Sequence, residues 1–444
     1  MRISIFGLGY VGSVSAACFA SLGHSVIGVD VDKFKVETIN SGRSPIIKEQ
    51  GLDELIRQGV AEGRLHATTD DREAVANSDL SLICVGTPSN DNGSLNLEYV
   101  RRVCEGIGRA LRAKDAYHVV AFRSTMLPGS IEGELIPILE AASGKKAGAE
   151  YGVAANPEFM REGCAVADFY GPARTVIGEL DQRSGEALAE LYDEIEAPIV
   201  RLNLKTAEMA KYVDNAFHAL KISFANEIGN LCKAEGIDSY QVMDVFSMDI
   251  RLNISAAYMK PGAAFGGSCL PKDLRALLHR AQERDLEVPV LRGILASNER
   301  QKRSAFDLVR KTGKKKIGVL GLSFKPGTDD LRESPVVELV ETLIGKGYRV
   351  AIYDKGVSLS AIYGSNKTYI EKEIPHISRL MCETLDEVLE RSEVLVIANR
   401  DPLYAEILPK LSAEQTVIDL VRLSRELPET AKTAMDGRYK GICW

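Results

Sequence analysis

The sequence predicts an α/β protein in which two Rossmann-like parallel-sheet domains are joined by a central helical domain with a long helix. Three observations lead there. Over roughly the first 200 residues, short β-branched runs alternate with helical patterns, as in a parallel sheet covered by helices on both faces. From about residue 204 to 236 the alternation gives way to one long helical period, and further helices follow to about residue 310. At residue 314 the strand and glycine pattern restarts with "KKKIGVLGLSFKPG". The expected divisions are 1–203, 204–312 and 313–444, in keeping with a chain of 444 residues at roughly 100 to 200 residues per domain.

The strand candidates of the first domain are "RISIFG", "SVIGVD", "LSLICVG", "HVVAF", "YGVAAN" and "TVIGEL". In the last domain "YRVAIYD" follows the glycine stretch much as "HSVIGVD" follows the first one. The repeat is degenerate, because Ser323 stands where the second glycine would be. The last domain is therefore expected to keep the fold and bind something other than a dinucleotide. The net charge of -7 and the lack of a long basic run speak against nucleic acid and anionic membranes as partners. An anionic ligand must then be met by local basic residues. Eight scattered cysteines without a CxxC pair indicate a reduced compartment. With no cleavable signal and no run of membrane-spanning length, the expected location is cytoplasmic.

"GLGYVG" places Gly7, Gly9 and Gly12 directly after a strand and at the opening of a helical stretch, and Asp30 ends the next strand. Glycines there permit a tight turn, close approach of backbone to a pyrophosphate and close helix packing; the helix start offers free N–H groups to the anion. Asp30 would accept hydrogen bonds from the adenosine ribose, which favours NAD over NADP. "VGTP" (85–88) and "RSTMLPG" (123–129) fall at strand ends, where ligands of open α/β sheets bind. Taken alone, both read better as plain Pro/Gly turns.

"FGGSCLPKD" sets Cys269 just ahead of a helix whose first turn suits Pro271 and whose spacing is carried by Leu274, Leu277, Leu278 and Ala281. The positive helix end and Lys272 would stabilise a thiolate, and the glycines would leave room for a substrate. The other seven cysteines lie in apolar or helical runs and are expected to be buried and structural. On the long helix, Lys211, Asn215, His218 and Asn226 share one arc, opposite a stripe of Val213, Phe217, Leu220, Phe224 and Leu231. The arc carries amides and a histidine rather than the Glu and Lys of a solvated face, which marks the wall of a polar site. Glu158 and Glu162 in "NPEFMREG" would share a side if that segment were helical; a surface pair is the alternative. Lys325 and Arg332 in "FKPGTDDLRESP" could seat a phosphate or be surface charge. No metal is expected.

A nicotinamide site combined with a nucleophilic thiol suggests oxidation beyond the aldehyde. "GLGYVG", "VGTP", "NPEF-REG", "K-DNAFHALKISFANE", "FGGSCLPKD" and "GLSFKPGTDDLRESP", in this order over nearly the whole chain, resemble the UDP-glucose/GDP-mannose dehydrogenase family. His218 in "NAFHALK" and the terminal "GICW" resemble its GDP-mannose branch. The resemblance implies NAD as cofactor and four-electron oxidation of C6 of a nucleotide sugar, GDP-mannose to GDP-mannuronate for alginate. It makes Cys269 the nucleophile that carries thiohemiacetal and thioester, and Lys211 and Asn215 oxyanion donors. Asp273 would act on the hydrolytic water, Glu158 in proton transfer, and Thr125 at the reacting end of the cofactor. Tyr10, Val11, Asp30, Lys35, Thr87, Lys272 and Arg332 match cofactor positions. Glu162, His218, Asn226, Tyr258, Lys260 and Lys325 match nucleotide-sugar positions. The resemblance also implies a homodimer or higher homo-oligomer built through the helical centre. In "NISAAYMKPGAAFGG", Ala257, Lys260 and Ala263 stand where that branch is expected to carry an aromatic, an arginine and a bulky residue, so the sugar-nucleotide pocket should be shaped differently. UDP-glucose or a UDP-N-acetylhexosamine as substrate, a two-electron hydroxyacid dehydrogenase with Lys211 as acid/base, and a nucleotide sensor without turnover stay open.

Overall fold

The structure is a computed structural model of the whole chain. It describes all residues except 47–48, 91, 93, 162, 256–260, 268–269, 324–330, 332, 356, 358–373, 375–376, 424–436 and 444, and the side chains of 272 and 273. Two compact units emerge, Met1–Ala219 and Leu220–Trp444.

The first unit is built on an eight-stranded sheet: β1 Arg2–Phe6, β2 Ser25–Val29, β3 Leu65–Thr68, β4 Leu80–Ile83, β5 Val119–Phe122, β6 Gly152–Ala155, β7 Thr175–Glu179 and β8 Ile199–Asn203, in the order β3-β2-β1-β4-β5-β6-β7-β8. The side-chain alternation of a strand sends Ile3 and Ile5 of β1 into one buried cluster and Phe6 into the other. Between them Ser4 pairs with Ser81 at 2.7 Å. Helix α1 (Tyr10–Ser21) covers one face, with Phe19 fully buried.

Two strands carry too little apolar signal to be found in the sequence. β3 ("LHAT") buries only alternate residues, and β8 ("IVRLN") is largely exposed, as edge strands are. The expectation of an all-parallel sheet needs correction: β7 runs antiparallel to β6, while β8 is parallel to β7. The connection before β7 holds only the short helix α2 (Ala165–Tyr170), whose Phe169 docks on Phe19 at 5.0 Å instead of crossing a sheet face. A parallel return needs a crossover over the sheet, usually by a longer helix.

The long helix, α3 (Leu204–Ala234), starts in the first unit, where Glu208 is buried and accepts from Gly129 N at 2.6 Å and Ile131 N at 3.0 Å. In the second unit its end joins α4 (Ser239–Ser247), α5 (Leu270–Glu283) and α6 (Pro289–Arg310). Leu231, Ala281, Val288 and Leu291 form a small core there, with Phe224, Leu274 and Leu278 against it. The apolar stripe expected as a core face is so only at this end: Leu231 is 6% exposed, but Val213, Phe217 and Leu220 are 51%, 38% and 49% exposed, and Leu277 of α5 is also exposed.

The strand pattern restarts as read from the sequence. β9 (Lys316–Leu320), β10 (Arg349–Tyr353), β11 (Val394–Ile397), β12 (Thr416–Asp419) and β13 (Tyr439–Gly441) form a parallel sheet in the order β10-β9-β11-β12-β13. After β9, Asp354 accepts from Leu322 N at 2.7 Å and from Ser323 N at 3.0 Å. This reproduces the bond from Leu8 N to Asp30 at 2.7 Å after β1. Cys18, Cys84, Cys104, Cys232 and Cys382 are buried as expected, but Cys164 and Cys443 are exposed. Cys164 stands in the turn before α2, and Cys443 follows the last strand, both outside the packed layers. Among the described residues no helix is long and apolar enough to cross a membrane.

Glu227 on the long helix is 7% exposed and accepts from Val290 N at 2.7 Å and Leu291 N at 2.9 Å, at the N-terminus of α6. Glu227→Ala strands two buried donors. It is expected to cost about 1–3 kcal/mol, read as a lower urea midpoint by circular dichroism.

Candidate active site

The first turn after β1 is fixed by sterics. Gly7 has φ +95°, and a Cβ there would stand 2.8 Å from Val85 Cγ1. At Gly12 a Cβ would lie 1.8 Å from the carbonyl oxygen of Gly7, so only glycine lets α1 approach the strand this closely. Gly9 differs: a Cβ would meet nothing within 4 Å, which is open space at the start of a helix. Beside it runs a cleft of about 400 Å³, lined by Gly7, Gly9, Asp30 and Lys35 at one end. It shares Gly9, Cys84, Val85 and Gly86 with a recess of about 260 Å³ that Tyr10, Val11, Thr87, Thr125 and Glu158 line.

Asp30 Oδ2 accepts from Leu8 N at 2.7 Å and Lys35 Nζ at 3.2 Å, and Oδ1 from Asp32 N at 2.9 Å. A carboxylate offers about four acceptor sites, which leaves one for a ribose hydroxyl. The loops carrying "VGTP" and "RSTMLPG" are tied together, since Thr87 Oγ1 donates to Thr125 O at 2.9 Å and Ser124 Oγ to Val85 O at 2.6 Å. An open helix start, a carboxylate with an acceptor site to spare and a cleft of this volume beside them fit a dinucleotide.

Glu158 also lines a pocket of about 430 Å³ with Lys211, Asn215 and His218. Lys211 Nζ lies 3.1 Å from Glu158 Oε1, their side chains 12% and 11% exposed. Both are set by Phe159, whose ring has Lys211 Nζ at 5.4 Å and the Arg174 guanidinium at 4.5 Å from its centroid. Arg174 in turn donates to Asp214 at 2.7 Å, one turn beyond Lys211 on the helix. Arg123 is buried in the wall common to recess and pocket and donates to Asn156 Oδ1 at 2.5 Å and the Tyr192 hydroxyl at 2.9 Å. Burial opposes its charge, but Tyr192, Cys84 and Glu158 outweigh that and raise its pKa. Burial pushes the Cys84 thiol up to about 12, so Cys84 is no nucleophile.

The first unit thus brings together Gly7, Gly9, Tyr10, Val11, Asp30, Lys35, Thr87, Thr125 and Glu158 along the cleft and its recess, and Lys211, Asn215 and His218 in the pocket. Gly12 packs instead of lining, and Asn226 is an exposed residue of the second unit. The described residues around Glu158 are not helical, contrary to the helical premise that pairs Glu158 with Glu162. Glu162, Ala257, Tyr258, Lys260, Cys269, Lys325 and Arg332 lie outside the described residues, as do the side chains of Lys272 and Asp273.

Around Cys269 the second unit shows the flanks. Helix α5 starts at Leu270, immediately after it. Phe265 exchanges two bonds of 2.9 Å with Asn298, through its N–H and its carbonyl. Gly266 does not leave free room for a ligand, because a Cβ there would meet Glu333 O at 2.3 Å. Arg123, Arg174 and Asp214 were not singled out by sequence. Arg123 opens the quoted "RSTMLPG", and the other two carry no local signal.

These features define a dinucleotide-binding protein of the doubly wound class, with a polar pocket against one end of its cofactor cleft. The chain belongs to the UDP-glucose/GDP-mannose dehydrogenase family: residues 1–196 match its NAD binding domain, 205–300 its central domain and 318–426 its UDP binding domain. It is 52% identical over 444 residues to the GDP-mannose 6-dehydrogenase of Pseudomonas aeruginosa, covering 100% of both chains. It is 40% identical over 362 residues to a UDP-glucose 6-dehydrogenase of Haloferax volcanii, covering 80% of this chain and 83% of that one. A crystal structure of a ternary complex of GDP-mannose dehydrogenase from Pseudomonas aeruginosa superposes with a TM-score of 0.95 at 51% identity, over 100% of each chain.

Gly9→Ala is expected to leave thermal stability within about 0.5–1 kcal/mol of the parent and to weaken NADH binding at least about tenfold, by calorimetry, since its methyl would stand where the pyrophosphate passes. With Asp30 against the ribose, kcat/KM for NAD should exceed that for NADP by at least about tenfold, a ratio set by like-charge repulsion; equal values would remove the role of Asp30.

Proposed function

We propose that this protein is an NAD-dependent nucleotide-sugar 6-dehydrogenase that oxidises the C6 alcohol of GDP-mannose to the carboxylate. The observation that carries the reading is the enclosed Lys211 and Glu158 pair, with Glu158 common to the cofactor recess and the pocket. Full-length identity of about half to relatives named GDP-mannose 6-dehydrogenase supports the substrate. Ala257, Lys260 and Ala263 keep UDP-glucose and UDP-N-acetylhexosamines as the compounds to compare.

NAD held in the cleft would supply the hydride acceptor, two equivalents for each sugar oxidised to the acid. Between the two oxidations the Cys269 thiolate adds to the C6 aldehyde as a thiohemiacetal; its oxidation gives a thioester, and water releases the acid and restores the thiol. Lys211 and Asn215 donate to the oxygen that gains charge at each stage. Glu158, beside Lys211, passes protons to and from that oxygen through water, and Asp273 orients the hydrolytic water. Thr125 borders the nicotinamide, and Lys272 and Arg332 join the cofactor. Glu162, His218, Asn226, Tyr258, Lys260 and Lys325 hold the nucleotide sugar.

The division into 1–203, 204–312 and 313–444 belongs to this reading, as do a cytoplasmic location and a homodimer. In the second unit Tyr240, Met248 and Ile250, at 81%, 75% and 72% exposure, offer apolar side chains that a second copy would cover.

With GDP-mannose, UDP-glucose and UDP-N-acetylmannosamine offered in parallel, GDP-mannose is expected to give the highest kcat/KM and two NADH per sugar. One NADH would mark a two-electron enzyme. Cys269→Ser is expected to abolish steady uronate formation with NADH binding kept, and Lys211→Met to lower kcat by about 10²–10³.

A further inference from the structure

Glu49 has no part in the chemistry above, yet it is one of the few buried carboxylates of the first unit, 8% exposed. Its Oε2 accepts from the Tyr10 hydroxyl and from Gly163 N at 3.0 Å, and its Oε1 from Val166 N at 3.2 Å. Gly163 N also donates to the Tyr10 hydroxyl oxygen at 2.7 Å. Burial pushes the Glu49 carboxyl up, but the Tyr10 hydroxyl and the amides of Val166, Gly163 and Ala165 outweigh it and hold it below its ordinary range. Glu49 is thus a charged group held in place by donors from two other segments.

Those segments are the two that matter for ligands. Tyr10 is the first residue of α1 and lines the cofactor recess. Ala165 opens α2, whose Asp168 and Phe169 line the polar pocket. If Glu49 only capped a short helix, Gly163 and Val166 would suffice; the Tyr10 hydroxyl adds a link to the glycine loop.

We propose that Glu49 is a positioning residue that couples the two ligand sites: through Tyr10 and the amides of 163–166 it transmits occupancy of the cofactor cleft to the segment 163–170, which borders the polar pocket. A bound dinucleotide restrains the backbone at residue 10. The phenol then has fewer positions open to it, and the turn it shares with Glu49 is ordered in advance of the sugar. The identity of the second ligand rests on the function proposed above; the first half of the coupling does not.

Hydrogen exchange of the full chain with and without saturating NADH tests it without any sugar. In the parent protein NADH is expected to slow exchange about fivefold or more both in the glycine loop (5–13) and in 163–170. Glu49→Gln and Glu49→Asp should keep the slowing in the glycine loop and lose it at 163–170. Retention at 163–170 in the variants, or no slowing there in the parent, overturns the proposal, and if Glu49→Gln does not fold, Glu49→Asp decides. A second arm titrates GDP-mannose with and without NADH, where the variants should lose the tightening that NADH brings. If the parent binds no GDP-mannose, the substrate reading fails and the exchange result still decides the role of Glu49.

Discussion

The contact between Gly12 and the carbonyl of Gly7 is the constraint on which the cofactor site depends. With a Cβ at 1.8 Å the approach would be impossible, and α1 would have to lift from β1. Because it can sit down, the N-terminus of α1 meets the carboxyl end of β1 next to β4, where the strand order turns from β2-β1 to β4-β5. Loops leaving β1 and β4 then diverge and open a crevice. The cleft, the Asp30 carboxylate on the next strand and the joined loops at Thr87 and Thr125 all follow from that one close packing.

The pocket depends on a second placement. Glu208 fixes the first turns of the long helix against the amides of Gly129 and Ile131. One turn on, Lys211 meets Glu158; one further, Asp214 meets Arg174, and Arg174 covers Phe159, the neighbour of Glu158. The helix and the "NPEF" segment are thus clamped on both sides of the ion pair. A long flexible lysine gains a defined position this way, as the oxyanion role proposed for it requires.

What the sequence showed and what it hid follow from the range of the interactions. Glycines at 7, 9 and 12 and the alternation of β1, β2, β4 and β5 are local requirements of backbone and period, and they were legible. Lys211, Asn215 and His218 were legible because helical spacing alone puts them on one arc. β3 and β8 were not, since edge strands need little apolar surface, and neither was the reversal at β7, which reflects how α2 docks on α1. Gly266 was read as space for a ligand, whereas its lack of a side chain serves contact with Glu333. Arg123, Arg174 and Glu49 act through partners far away in the chain, and no spacing rule reaches them.

Charge explains why an acidic chain can hold an anionic ligand at all. In the pocket Lys211 is matched by Glu158, Arg174 by Asp214, and Arg161 by Asp168 at 2.7 Å. Arg123 completes the set with only an amide and a phenol as described hydrogen-bond partners, and its Nε has none. The paired charges nearly cancel at a distance, while a buried guanidinium in a low-dielectric wall is weakly screened. Among these pocket residues one positive charge, that of Arg123, is left over at the junction of cleft and pocket, although the chain as a whole carries -7.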